Sequence, residues 1–356
     1  MYPEMKKIPV YIIALLLMMQ SCMHDDVDLN SYRTGSGVFV VCSGNFMYGN
    51  ASLSFYNPAT CEINNEVIFN ANGFPLGDVA QSLSLTDSLG LIVVNNTGRI
   101  YAFDPNTFVV KAKIVGLTSP RYIHLLNAEK AYVSDLYAKK IWIINPENLS
   151  VTGFINVDNR NSQHYQHSTE QMVQYDKFVF VACWSFDNKL LVIDSETDLL
   201  IDSVTVGIQP SKMLIDRYHQ IWVYCDGGYE GSGYACEAPS MYKIDAQTRI
   251  PEKVFEFDTG VFGAAMCMNA TGDTLFFTAH DVYAMDVLSP AMPELPFIEA
   301  GVRNISAIAC DAGNGDFYLA DAIDWLQYGV VYRYSRNAQP IDTFRVGINP
   351  VEIVFK

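Results

Sequence analysis

Ile141-Trp142-Ile143-Ile144-Asn145-Pro146-Glu147-Asn148 is the stretch that decides the fold. A short run of strand-forming residues ends at Asn, whose side chain caps a turn, and Pro presets φ at the next position. The unit recurs. Leu53-Ser54-Phe55-Tyr56-Asn57, Ile100-Tyr101-Ala102-Phe103-Asp104 and Leu190-Leu191-Val192-Ile193-Asp194 repeat it. So do Met241-Tyr242-Lys243-Ile244-Asp245, Val282-Tyr283-Ala284-Met285-Asp286 and Val331-Tyr332-Arg333-Tyr334-Ser335. The spacings are 47, 41, 49, 51, 41 and 49 residues. Seven copies of a unit of about 46 residues have the period of a four-stranded blade. The reading is an all-β chain, a seven-bladed β-propeller with four antiparallel strands per blade.

The flanks of each copy support this. A strand such as Ser203-Val204-Thr205-Val206 follows the turn, and a Gly-x-x-Pro step then leads to the next inner strand. Gly207-Ile208-Gln209-Pro210 and Gly347-Ile348-Asn349-Pro350 show the step, and Gly116 to Pro120 is one residue longer. Val38-Phe39-Val40-Val41 reads as a second strand and Val351 to Phe355 as a first strand. The two ends therefore share one blade, which closes the ring and removes an open edge. Residues 38–356 form one domain.

Composition narrows the function. The 356 residues are 50% hydrophobic, too apolar for a disordered chain. Lys and Arg number 23 against 39 Asp and Glu, a net charge of −16. Nucleic-acid binders neutralise phosphates with Lys and Arg, so that class is excluded. No G-x-S-x-G, H-E-x-x-H, Walker loop or G-x-G-x-x-G occurs. His164-Tyr165-Gln166-His167 reads as a polar loop contact rather than a metal pair, and Asp321 and Asp324 as ordinary surface carboxylates. The expectation is a protein that is no enzyme, with no metal and no cofactor.

One face carries the recognition residues. In a blade, the loops joining strands two and three share a face with the loops leading to the next blade, and the tight Asp/Asn turns lie opposite. The first set holds Phe46, Tyr48, Arg121, Tyr137, His164, Tyr165, Trp184, Phe186, Tyr229, Tyr234, Trp325 and Tyr328, mixed with Asn, Gln and Ser. Aromatic faces give rigid apolar contact and amides give paired donors and acceptors, as a large, flat, amide-bearing ligand requires.

The leader gives an address. Lys6 and Lys7 precede the uncharged run Val10 to Met19, too short for the roughly 20 residues a membrane helix needs. Leu17-Met18-Met19-Gln20-Ser21-Cys22 resembles a bacterial lipoprotein box, which implies a signal peptide over 1–21 and lipid on Cys22. Residues 22–37 then form a tether. Its acidic start, Asp25-Asp26, resembles the export signal of surface lipoproteins, so the expected location is the outer membrane, lipid-anchored, facing outward.

With Cys22 lipidated, seven Cys remain and none form C-x-x-C. Cys42, Cys183, Cys267 and Cys310 fall in strands as core thiols. Cys225 and Cys236 bracket a glycine-rich loop; a disulfide between them and two free thiols are both open.

The anchor, the acidic tag and the seven YncE-like blades together resemble the BtuG-like family of cobalamin-binding surface lipoproteins. That resemblance implies non-covalent capture of cobalamin or a related corrinoid and delivery to a TonB-dependent outer-membrane transporter, with the membrane reached through lipid. Two other classes fit a propeller: a protein-interaction or adhesion module, and a metal-dependent lactonase-like enzyme.

Overall fold

The computed structural model describes residues 37–159, 167–258 and 265–356. The leader and Cys22 lie outside the described residues. So do His164 and Tyr165.

Strands follow one another around a ring. β1 (Val38–Cys42), β2 (Ser52–Asn57) and β3 (Glu62–Asn64) belong to blade 1. Helix α1 (Val67–Asn72) leads to blade 2, made of β4 (Ala80–Leu85), β5 (Gly90–Val94), β6 (Arg99–Phe103) and β7 (Val110–Val115). Blade 3 holds β8 (Pro120–Asn127), β9 (Lys130–Asp135), β10 (Lys140–Asn145) and β11 (Ser150–Asn156). Blade 4 holds β12 (Ser168–Tyr175), β13 (Phe178–Trp184), β14 (Lys189–Asp194) and β15 (Leu199–Thr205). Blade 5 holds β16 (Pro210–Ile215), β17 (Gln220–Cys225), β18 (Ser240–Asp245) and β19 (Pro251–Glu256). Blade 6 holds β20 (Met266–Met268), β21 (Thr274–Ala279) and β22 (Asp281–Asp286). Its outer place is taken by the segment at Ile298, which bridges Val282. Blade 7 holds β23 (Ile305–Cys310), β24 (Phe317–Asp321), β25 (Tyr328–Tyr334) and β26 (Pro340–Ile348), and the chain ends in β27 (Pro350–Phe355).

β27 closes the ring as the inner strand of blade 1. It pairs antiparallel with β1, Val38 opposite Phe355 and Val40 opposite Ile353. Each inner strand touches the next, β4 to β8 and onward through β23 to β27 and back to β4. The fold is a seven-bladed β-propeller. Among the described residues no helix is long and apolar enough to cross a membrane.

The core is not one mass. Seven apolar layers fill the seven gaps between blades. β1 shows why its sequence is apolar throughout rather than alternating. Val38, Val40 and Cys42 face blade 7, while Phe39 and Val41 face blade 2, so both sides of the strand are buried. The Gly-x-x-Pro step also has a steric cause. A Cβ on Gly207 would lie 2.9 Å from the Cβ of Cys225, and one on Gly347 would lie 2.8 Å from that of Cys42. Pro then opens the inner strand, where its missing N–H removes a donor at the strand's start.

Phe39 packs against Phe55, Phe103 and Phe108 with ring centroids 4.9, 6.1 and 6.0 Å away, joining blades 1 and 2. Phe39→Ala is expected to cost about 3–5 kcal/mol in denaturant unfolding. A loss under about 1 kcal/mol would contradict the layered core.

Candidate functional site

Two features converge at one end of the ring. The first is a repeated irregularity in the inner strands. Register shifts fall between Ala80 and Ser82, Pro120 and Ile123, Thr169 and Met172, Pro210 and Lys212, and Ile305 and Ala307. In blade 1 the shift lies opposite β27, at Val41 and Cys42. A bulge adds a residue and re-aims side chains. Here it brings polar groups of different blades together across the axis.

Arg121 of β8 reaches Glu170 of β12, Nε to Oε1 at 2.7 Å and Nη2 to Oε1 at 2.5 Å. Lys212 of β16 donates to the Tyr122 hydroxyl of β8 at 3.1 Å, passing blade 4 to do so. Gln81 of β4 donates to the same hydroxyl at 3.2 Å. Glu352 of β27 accepts the Leu83 N–H of β4 at 2.6 Å, and Gln171 accepts the Met213 N–H at 2.8 Å. These side chains satisfy backbone donors on inner edges that no further strand covers.

Electrostatics follow from burial. Desolvation pushes Glu352 up to about 7, against the Leu83 N–H and the Lys212 charge, which pull it down. Burial would lower Lys212, but Tyr122, Glu352 and Glu170 outweigh it and hold the amine above its ordinary value. Asp226 is raised by burial although Trp184, Ser211 and Lys212 favour its anion.

The second feature is the aromatic rim. Among the described residues, the exposed aromatic side chains on this face are Phe46, Tyr48, Tyr137, Tyr229, Tyr234, Trp325 and Tyr328. Elsewhere among the described residues, only Phe69 on α1, Phe154 on an outer strand and Tyr218 on the opposite face are exposed. Trp184 is half-buried: Arg121 lies over its ring at 5.8 Å, and its indole N–H donates to Asp226 Oδ2 at 3.0 Å. Ser185 and Phe186 hold left-handed backbone, φ 61° and 69°, at a cost of roughly 1–2 kcal/mol each. That turn sets Phe186 against Tyr234 and Tyr229, 4.2 and 5.9 Å between centroids. Across the ring, Asn45 donates to the Trp325 carbonyl at 2.7 Å, and Asp78 accepts the Met47 N–H at 3.0 Å. The blade 1 loop is thus tied to blades 7 and 2, presenting Phe46 at 65% and Tyr48 at 79% exposure.

The sequence-expected residues divide by role. The rim aromatics named above gather at one end as anticipated. Arg121 is not a free contact, because its guanidinium is engaged by Glu170 beside the Trp184 ring. Asp321 and Asp324 hold backbone, Asp321 accepting from the N–H groups of Asn304 and Ile323 and Asp324 from those of Leu326 and Gln327. The Cys225–Cys236 bridge left open by the sequence is not formed. Both are free thiols, Cys225 buried in the layer between blades 4 and 5 and Cys236 exposed. The loop neck is closed instead by Glu237, whose N–H donates to the Gly227 carbonyl at 2.7 Å and whose carboxylate accepts the Ile208 N–H at 2.8 Å. Gly227 permits this approach, since a Cβ there would lie 2.2 Å from the Glu237 carbonyl. Cys42, Cys183 and Cys267 are buried as expected, and Cys310 is only partly so.

Sequence reasoning missed Tyr122, Lys212, Glu352 and Asp226. A signal was available for three of them: each stands two residues after the proline that opens an inner strand, Pro120, Pro210 and Pro350.

Residues 36–313 match the model of a family described as "Domain of unknown function (DUF5074)". The chain belongs to the DUF5074 family. A search of curated proteins finds no match to this DUF5074 chain. Among solved structures, a quinonprotein alcohol dehydrogenase-like protein from Bacteroides thetaiotaomicron is similar at TM-score 0.69 and 14% identity, over 91% of this chain and 78% of that one. Hydrazine synthase of Kuenenia stuttgartiensis aligns at TM-score 0.60 and 14% identity, over 81% of this chain and 90% of that one. Apo AztD from Citrobacter koseri aligns at 0.55 and 11% identity, over 90% and 98%. At these identities the likeness is one of fold.

Two measurements check this geometry. Cys236 should alkylate in the native protein and Cys225 only after unfolding, as mass spectrometry would read; burial pushes the Cys225 thiol up and shields it. The second concerns Glu352, whose proton is held more tightly folded than unfolded, where Glu ionises near about 4.3. Its stabilising contribution is complete below that value, declines as pH rises, and is lost above about 7. Glu352→Gln keeps an acceptor for Leu83, so wild type should lose unfolding temperature relative to the variant between about pH 4 and about pH 7. A constant difference would refute the assignment.

Proposed function

We propose that this chain captures a cobalamin-type corrinoid non-covalently at the aromatic rim and passes it to a TonB-dependent outer-membrane transporter. The observation that carries the reading is the segregation of exposed aromatic side chains to one end of the ring, with the opposite face nearly bare of them. Rings such as Trp325, 52% exposed, and Tyr48 offer flat apolar area. The amides of Asn45, Asn50 and Asn96 brace the rim through the Trp325 carbonyl, each other and Asp78, and each keeps a second N–H or lone pair for the carboxamide edges of a corrin. A rigid propeller presents these loops with little ordering left to do on binding, which favours affinity.

The reading is one of binding, not catalysis. The carboxylates beneath the rim are engaged in structural contacts, Glu170 with Arg121 and Asp226 with Trp184 and Ser211. A lipid anchor on Cys22 would hold the protein at the outer membrane beside its transporter, rim toward the barrel.

A mixture of protein and cyanocobalamin passed down a sizing column tests this. The red chromophore should elute with the protein at micromolar concentration; absence of colour there rejects the reading. Metal-dependent lactone hydrolysis would instead point to a lactonase-like enzyme. Trp184→Ala and Trp325→Ala should each weaken binding by about 2 kcal/mol or more, as buried aromatic anchors do. Tyr218→Ala, on the opposite face, should leave affinity unchanged.

A further inference from the structure

Beside the rim, three side chains of different chemistry meet with no part in the ligand surface described above. His167 precedes β12, Cys183 lies near the end of β13, and Asp187 lies in the turn that follows. The pairing of β12 with β13 sets Thr169 opposite Cys183 and so carries His167 up to the turn. Donor atoms of the three lie within 4.8 Å of one another, and His167 Nδ1 is 2.7 Å from Asp187 Oδ2. The His and Asp side chains are only 13% and 16% exposed, and Cys183 is fully buried.

The geometry points to a divalent transition-metal site of the zinc type formed by His167, Cys183 and Asp187. A nitrogen, a sulfur and an oxygen donor are a borderline-soft set, suited to Zn²⁺ rather than to Ca²⁺ or Mg²⁺, which take oxygen alone. In a tetrahedral complex with bonds of about 2.0–2.3 Å, donors stand roughly 3–4 Å apart, so small side-chain movements close the triangle. Three protein ligands leave one position for water. Binding replaces the His167–Asp187 hydrogen bond with two metal bonds, and the Cys183 thiol releases its proton to solvent as the sulfur–metal bond forms. The bound ion ties the entry of β12 to the turn that carries Phe186, directly beside Trp184.

The competing role is a simple polar anchor, His167 to Asp187, needing no metal. The full chain, purified without a histidine tag and stripped with chelator, separates the two. Titration with Co²⁺ should give a sulfur-to-cobalt charge-transfer band saturating at one equivalent, and Zn²⁺ should displace the cobalt and raise the unfolding temperature. Cys183→Ser should abolish the band. Asp187→Asn keeps a partner for His167 yet should weaken Zn²⁺ binding at least tenfold by calorimetry, so the result does not depend on one variant folding. A chain that takes up no Co²⁺ at one equivalent overturns the proposal. So does a band that survives Cys183→Ser, or an affinity indifferent to Asp187→Asn.

Discussion

Seven inner strands each turn an uncovered backbone edge toward one axis, and side chains must meet it. A sheet edge left open invites pairing with another chain, and buried donors left unmet are costly. The protein answers with polar residues lent between blades: Glu352 to Leu83, Gln171 to Met213, and Ser82 to the Arg121 carbonyl. Everything else is arranged around that axis. β27 returns from the far end of the chain to pair with β1, so blade 1 has no missing inner strand and the ring no seam.

Placing charge on the axis has an energetic consequence. A buried ion without a partner is expensive, and a buried pair is sustained only by good hydrogen bonding. Arg121 and Glu170 meet that condition with two short contacts. Glu352 meets it less well, and burial raises it toward neutrality. The bulges that open the inner strands are the device that places these groups, since a regular strand would send the same side chains into the apolar layers. The collar they form adjoins the rim: Arg121 stacks against Trp184, Trp184 holds Asp226, and Asp226 holds Ser211. The rim aromatics are thereby seated on a polar floor with most of its groups already paired.

Legibility in the sequence followed the range of the interaction. The repeat that ends at Asn145 or Asp194 is a local event, a strand and its capped turn, so each copy could be read alone. The assignment of Phe46, Tyr229 and Trp325 to one end required only counting which strands each loop joins. The pairing of Arg121 with Glu170 was hidden because that partner stands 49 residues away in the next blade. The fate of Cys225 was equally hidden. Spacing to Cys236 allowed a bridge, but strand alternation turns Cys225 into the layer behind Gly207.

By itself the sequence determined the architecture, because a period of about 46 residues with capped turns leaves only one way to bury both faces of every strand. It also determined which end bears the aromatic loops. Only the tertiary structure decided which polar side chains enter the axis and which thiols stay free. It alone brought His167 beside Cys183 and Asp187. Those outcomes depend on bulges and on contacts between separate blades and strands, and no local pattern records where a neighbouring blade will stand.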